Sequence, residues 1–527
     1  MQMIVDASLM KSIDNRTINE IGIPSMVLME RAALSVAEHV KCHVDIRARI
    51  LAVCGSGNNG ADAIAAARIL KLQGYHADVL ILSDIDKCSN ESKEQINIAK
   101  NLGISIYNNI NLNEYTIIID GIFGIGLNKP VKGEYLHYIK LINQGNHTVF
   151  SVDIPSGLSS NTGKPLNEAI KADYTITFGF NKIGLILYPG CEYAGKVHVA
   201  DIGFPRLDRK KEAINFYTYD KTDLLMLPKR NNDSHKGDYG KVLIIAGSIG
   251  MNGACFLASL AAYRIGAGLV KVIVAQENRS IMQTMLPEAI ISTYKQGEEL
   301  EKADIEEILD NLSWATTIAI GPGMGTSKIS EEIFDLVLNN SKVPIIIDAD
   351  GINILANKIN RIENNNKEKI NRIQELAKIL PPHTVLTPHL KELSRLIGID
   401  LSKIQENIIE IADICTHDND IIFVMKDART IVAHKNNRFI NTSGNIELSQ
   451  GAGAHRLKLK SSVNKDDEIS IKASTRECLK NGSPTEKEGF FQYTAAGDSK
   501  HTVTLEDGKS ARVLFEFQEM QEGSERL

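Results

Sequence analysis

Residues 50–72 read ILAVCGSGNNGADAIAAARILKL, and their order decides the fold class. An apolar run at 50–54 breaks into the turn Gly55-Ser56-Gly57-Asn58-Asn59-Gly60-Ala61-Asp62, and a helical pattern at 62–72 follows at once. Strand, glycine-rich turn and helix in that order form the opening unit of an open α/β sheet. Working outward, Ile- and Val-rich runs recur at 77–82, 116–119, 149–152 and 174–178, with helical patterns at 25–40 and 92–102. Such runs alternating with amphipathic helices imply a parallel sheet buried on both faces. The helix at 25–40 is expected to pack on this sheet or on a second subunit.

The alternation restarts after a charged connector at 208–229, with a strand at 240–246, a helix at 253–265 and strands at 269–274, 317–320, 345–347 and 421–425. A polar helix at 360–378, rich in Asn, Lys and Glu, reads as a solvated face. From 446 onward the chain is dense in Lys, Glu, Ser and Asp, with strand-like alternation at 502–505 and 511–517, and belongs to neither core. The expected organisation is an α/β domain over 1–215, a second over 223–445, and an atypical tail over 446–527 that need not be ordered.

A length of 527 residues accommodates these units. With 59 Lys and Arg against 65 Asp and Glu, the net charge of −6 argues against a nucleic-acid binder, which needs a basic face. An anionic ligand must then be held by local devices such as helix N-termini, glycine-rich turns or a placed lysine. Seven scattered cysteines with no CxxC pair indicate neither a zinc site nor a disulfide framework. No basic-then-apolar leader and no membrane-length apolar run stand out, so the expectation is a soluble cytoplasmic protein that uses no membrane.

Three strand ends of the first block carry polar residues. They are the 55–62 turn, the stretch Asp120-Gly121-Ile122-Phe123-Gly124-Ile125-Gly126-Leu127, and Asp153-Ile154-Pro155-Ser156-Gly157-Leu158. Ligands of open α/β sheets bind beyond the carboxyl ends of strands, so these loops can share one crevice. Glycines there let backbone N–H groups approach a phosphate, and a helix N-terminus adds partial positive charge. Oxygens of Asn59, Asp120 and Ser156 suit a hard cation, and Asp153 is a candidate general base. Each loop alone reads equally well as tight packing or a helix cap; three on successive strands favour a site.

These loops resemble the GxGNNGxD, DxxxGxGL and VDIPSGL patterns of the NAD(P)H-hydrate epimerase family, over residues 1–215. The resemblance implies a Rossmann-like three-layer sandwich and potassium ligands at Asn59, Asp120 and Ser156. It further implies contacts to NADH or NADPH hydrated at ring carbon 6 from Asn58, Asn59, Gly60, Ala61, Asp62, from Gly124, Ile125, Gly126, Leu127, Asn128, Lys129 and Pro130, and from Asp153, the expected acid–base residue. A glycine is usual at position 61, and the methyl of Ala61 is expected to crowd the ligand slightly.

The second block carries Gly253-Ala254, Gly321-Pro322-Gly323-Met324-Gly325, Asp348-Ala349-Asp350-Gly351, Thr387-Pro388-His389 and Lys426-Asp427-Ala428-Arg429-Thr430, most of them just after an apolar run. Singly these read as turns, caps and a loop histidine. Together they resemble the ribokinase-like ADP-dependent NAD(P)H-hydrate dehydratase domain, which commonly follows the epimerase in one chain. The resemblance implies hydrate contacts from Ala254, Gly323 and His389, and ADP with magnesium beside Lys426, Asp427, Ala428, Arg429 and Thr430.

The pattern then breaks. The family continues with glycines that form an anion hole and an aspartate that deprotonates the substrate hydroxyl. Here residues 446–455 read IELSQGAGAH, so His455, or Ala454 when the glycines are aligned, stands in the aspartate's place. Glu447 brings negative charge instead, and rescue by Asp498 would need a helix where the sequence looks strand-like. Dehydration is expected to be weak or absent. The ligands expected are the two hydrates and ADP, and the chain is expected to form a homo-oligomer. A ribokinase-like small-molecule kinase and a non-catalytic scaffold remain as alternatives; the missing motif counts against the kinase and the intact Asn59, Asp120, Asp153 and Ser156 against the scaffold.

Overall fold

Alternate residues of the strand Arg49–Cys54 leave on opposite faces, and both faces are covered. Ile50, Ala52 and Cys54 pack beneath the helices Ser25–Lys41 and Asn58–Leu72, while Leu51 and Val53 meet Tyr138, Ile139 and Ile142 of the helix Gly133–Gln144. All five strand residues are fully buried, each aliphatic one contributing about 1.5–3 kcal/mol relative to exposure. The alanines of Asn58–Leu72 let that helix lie close to the sheet: a Cβ on Gly121 would fall 2.4 Å from the Cβ of Ala63. Only glycine fits there.

The computed structural model describes residues 1–205, 215–297, 299–365 and 371–443, and the backbone of four later strands. The first sheet has seven strands in the order Ile106–Tyr107, His76–Ile81, Arg49–Cys54, Ile117–Gly121, Thr148–Val152, Tyr174–Phe178 and Lys196–Ala200. Every pairing is parallel. From Arg49–Cys54 the chain winds to one side, then returns to Ile117–Gly121 and winds to the other. The switch point of this doubly wound sheet therefore lies between the loops that follow those two strands.

The second sheet has twelve strands, and its parallel part runs Ile290–Tyr294, Leu269–Ala275, Lys241–Ile245, Thr317–Ile320, Ile345–Ile347, Val385–Leu386 and Ile422–Met425. Its switch point lies between Lys241–Ile245 and Thr317–Ile320. Beyond Ile422–Met425 come the antiparallel strands Ile431–His434 and Asn437–Ile440, then Phe216–Thr218, Gln2–Val5 and Asn181–Lys182. The last two come from the first half of the chain, so the 208–229 connector is crossed by one continuous sheet. Residues 1–444 form one compact unit.

Two expectations need correction. The helix expected to begin at 62 begins at Asn58, because Gly57 caps it and the N–H groups of Gly60 and Ala61 both bond to Gly57 O. The single helix expected over 360–378 is instead the end of Asp350–Asn365 and the separate Arg372–Ile379. The latter has its own cap, the side chain of Asn371 accepting from Ile373 and Gln374 N–H. In the unit from 445 onward, Glu468–Cys478 pairs antiparallel with Pro484–Thr494, and Lys500–Thr504 with Ser510–Leu514. Among the described residues no helix is long and apolar enough to cross a membrane.

Candidate functional site

At the first switch point two glycines stand where the backbone is packed too tightly for a side chain. A Cβ on Gly55 would sit 2.0 Å from Ile122 O, and one on Gly60 would sit 2.3 Å from Gly55 O. The 55–60 turn is thereby pressed onto the loop that carries Phe123. Asn59 Nδ2 donates to Phe123 O at 3.0 Å, and Ser156 Oγ both accepts from Phe123 N at 2.8 Å and donates to Phe123 O at 3.2 Å. Asp120, fully buried, accepts from Ser151 Oγ at 2.7 Å, Ser156 N at 2.9 Å and Ile122 N at 3.3 Å.

Asn59 and Ser156 thus meet at Phe123, and Asp120 joins them through Ser156 N and Ile122 N. Burial pushes the Asp120 carboxyl upward, against the downward pull of bonds from Ser156 and Ser151. Each of these donors is neutral. A buried carboxylate held only by neutral donors, among carboxamide, hydroxyl and carbonyl oxygens, is the chemistry of a hard-cation site, and these residues fit one.

Next to this cluster opens a cavity of about 550 Å3. Asn58, Asn59, Asp62, Gly124, Ile125, Gly126, Leu127 and Asp153 line it, while Gly60, Ala61, Asn128, Lys129 and Pro130 do not. Ala61 is fully buried behind the turn, so its methyl packs in the interior rather than crowding a ligand. Asp153 stands in the left-handed region at φ 63°, and its Oδ1 accepts from Thr177 Oγ1 at 3.1 Å, Phe178 N at 3.1 Å and Lys182 Nζ at 2.5 Å. Sequence reasoning missed Lys182 and Asp14, both on the cavity wall. Burial, then the charge of Asp153, pushes the carboxyls of Asp62 and Asp14 upward, Asp62 strongly so.

The second switch point is also crowded. A Cβ on Gly323, at φ 63°, would lie 2.9 Å from the Cβ of Ala254, and one on Gly321 would lie 1.9 Å from Asp348 O. Asp348 Oδ1 accepts from Thr387 Oγ1 and from Lys426 Nζ, both at 2.6 Å, and His389 bridges to Lys426 in parallel register. These loops therefore form one rim. His389 also caps the helix Leu390–Ile397, its Nδ1 accepting from Lys391 and Glu392 N–H. Arg429 reaches the first half of the chain by donating to Ile186 O at 3.0 Å, and also donates to Thr442 O at 2.7 Å.

Sequence reasoning also missed Asn252, whose buried Nδ2 and Oδ1 have no partner among the described residues, at the start of the helix Asn252–Ile265. Residues 446–455 and Asp498 lie outside the described residues. Elsewhere, His383, Asp420 and His434 cluster, but Lys435 Nζ already lies 2.9 Å from Asp420 Oδ1, which makes this an ion-pair group.

Comparison with known proteins matches residues 25–184 to the family model described as YjeF-related protein N-terminus, and residues 242–453 to that of NAD(P)H-hydrate dehydratase. The bifunctional NAD(P)H-hydrate repair enzyme of Thermofilum pendens is 31% identical over 457 residues, covering 84% of this chain and 83% of the relative. That of Moorella thermoacetica is 31% identical over 465 residues, covering 84% of each chain. The shorter NAD(P)H-hydrate epimerase of Oenococcus oeni is 43% identical over 192 residues, covering 36% of this chain and 91% of the relative.

Proposed function

The chain belongs to the family of bifunctional NAD(P)H-hydrate repair enzymes, and on that premise we propose that its first half interconverts the R and S epimers of hydrated NADH and NADPH. The hydrate bears a hydroxyl on ring carbon 6, beside the ring nitrogen. Inverting that carbon requires its configuration to be lost and regained with no net change of atoms. If a base takes the hydroxyl proton as the bond to nitrogen opens, the carbon becomes a planar aldehyde. Closure on the other face, with the proton returned, gives the epimer.

The observation that carries this reading is Asp153, a carboxyl fixed by three donors on one oxygen at the wall of the 550 Å3 cavity. The N-terminus of Asn58–Leu72 and the loop at 124–127 offer N–H groups to the substrate's pyrophosphate. Asn59, Asp120 and Ser156 would hold potassium, whose charge would offset the buried Asp120 carboxylate and order the loops beside Asp153. The second half is proposed to bind ADP with magnesium and the S-hydrate, with dehydration weak or absent because residues 446–455 lack the aspartate. We take the chain to be a cytoplasmic homo-oligomer; Val27 and Leu34, apolar and exposed on Ser25–Lys41, suit a second copy.

Epimer interconversion by the purified chain, followed chromatographically in KCl, tests the first half. Wild type is expected to catalyse it, and Asp153→Asn to lose about 10²–10⁴-fold while remaining folded. Wild-type rates in the variant remove Asp153 from the mechanism. Addition of ADP, magnesium and S-hydrate is expected to return little NADH; rapid turnover would overturn the reading of residues 446–455.

A further inference from the structure

Lys182 is fully buried, and its ammonium donates to Asp153 Oδ1 at 2.5 Å, Thr177 Oγ1 at 2.7 Å and Phe178 O at 3.0 Å. Its strand, Asn181–Lys182, pairs in parallel with Gln2–Val5, Val5 lying opposite Lys182, so the backbone below the ammonium is tied into the larger sheet. An ammonium withdrawn from water is costly, and burial draws this one below the usual lysine range. A lysine serving only to fill space would be better replaced by an apolar chain.

The bonds to Asp153 show a directional effect. Thr177, Phe178 and Lys182 all donate to Oδ1, which leaves Oδ2 as the oxygen free to face the cavity. The other charged groups on that wall are Asp14 and Lys11 from the helix Ala7–Asn19 and Asp62 from Asn58–Leu72. Among the described residues Lys182 is the charged group in contact with Asp153.

We propose that Lys182 is a positioning residue of the epimerisation, which holds Oδ1 of Asp153 and so turns Oδ2 toward the hydroxyl of the hydrate. This inference rests on the epimerase reading above. Lys182→Met in the full chain is the test, with kcat and KM both measured. The kcat is expected to fall about 10²-fold with KM within about two-fold. In an Asp153→Asn background the same substitution is expected to change kcat less than about two-fold.

Thr177→Val keeps both charges and removes the hydroxyl that contacts both. It is expected to give a smaller loss of kcat with KM unchanged, and it carries the test if Lys182→Met does not fold. Wild-type kcat in both variants, or a loss carried by KM alone, overturns the proposal. Wild-type protein that fails to interconvert the epimers overturns the epimerase reading instead, and this inference with it.

Discussion

Asp62 shows how one cavity residue couples site to stability. Burial, and then the charge of Asp153, raises its carboxyl well above the ordinary range. The folded chain therefore keeps a proton that the unfolded chain releases near pH 4. That contribution is complete below the unfolded value and is lost as pH rises through the folded one. Asp62→Asn, neutral throughout, is expected to raise the thermal midpoint at pH 8 and to match wild type at pH 4; a lower midpoint at pH 8 would contradict this. That Asn59, Asp120, Asp153 and Ser156 stand on loops at strand ends could be read from sequence, because glycines mark those loops directly after apolar runs. Lys182 could not, because its partner lies 29 residues away and nothing in the run 178–187 distinguishes a buried lysine from a solvated one.

Among the elements, the glycine turn has two kinds of position that look alike in sequence. A Cβ on Gly55 would meet Ile122 O at 2.0 Å, whereas one on Gly57 would meet nothing within 4 Å. Gly55→Ala is expected to cost about 1–3 kcal/mol in chemical denaturation, and Gly57→Ala less than about 1 kcal/mol. Equal costs would show that the turn is not pressed on the 122 peptide. Periodicity reveals a strand that carries its own apolar run: 317–320 is observed as Thr317–Ile320, and 50–54 as Arg49–Cys54. It missed Gln2–Val5, Asn181–Lys182 and Phe216–Thr218, strands of two to four residues defined by what they pair with.

For the whole molecule, those short strands matter most. They carry the twelve-stranded sheet across the connector and place Lys182, on its edge strand, at the cavity beside the seven-stranded sheet. Arg429 reinforces the join by bonding Ile186 O, four residues beyond Lys182. The two α/β blocks were readable as separate units because each repeats its own strand–helix alternation; the join was not, because pairing between distant short segments leaves no local pattern. In the reading proposed above, oxygens from Asn59, Asp120 and Ser156 gather a cation beside Asp153. Epimer interconversion by wild type and Asp120→Asn, measured as KCl is raised from zero, bears on this without any other assumption. The wild-type rate is expected to climb and saturate with potassium, and the variant's to stay low and potassium-independent; a wild-type rate indifferent to potassium would exclude the cation.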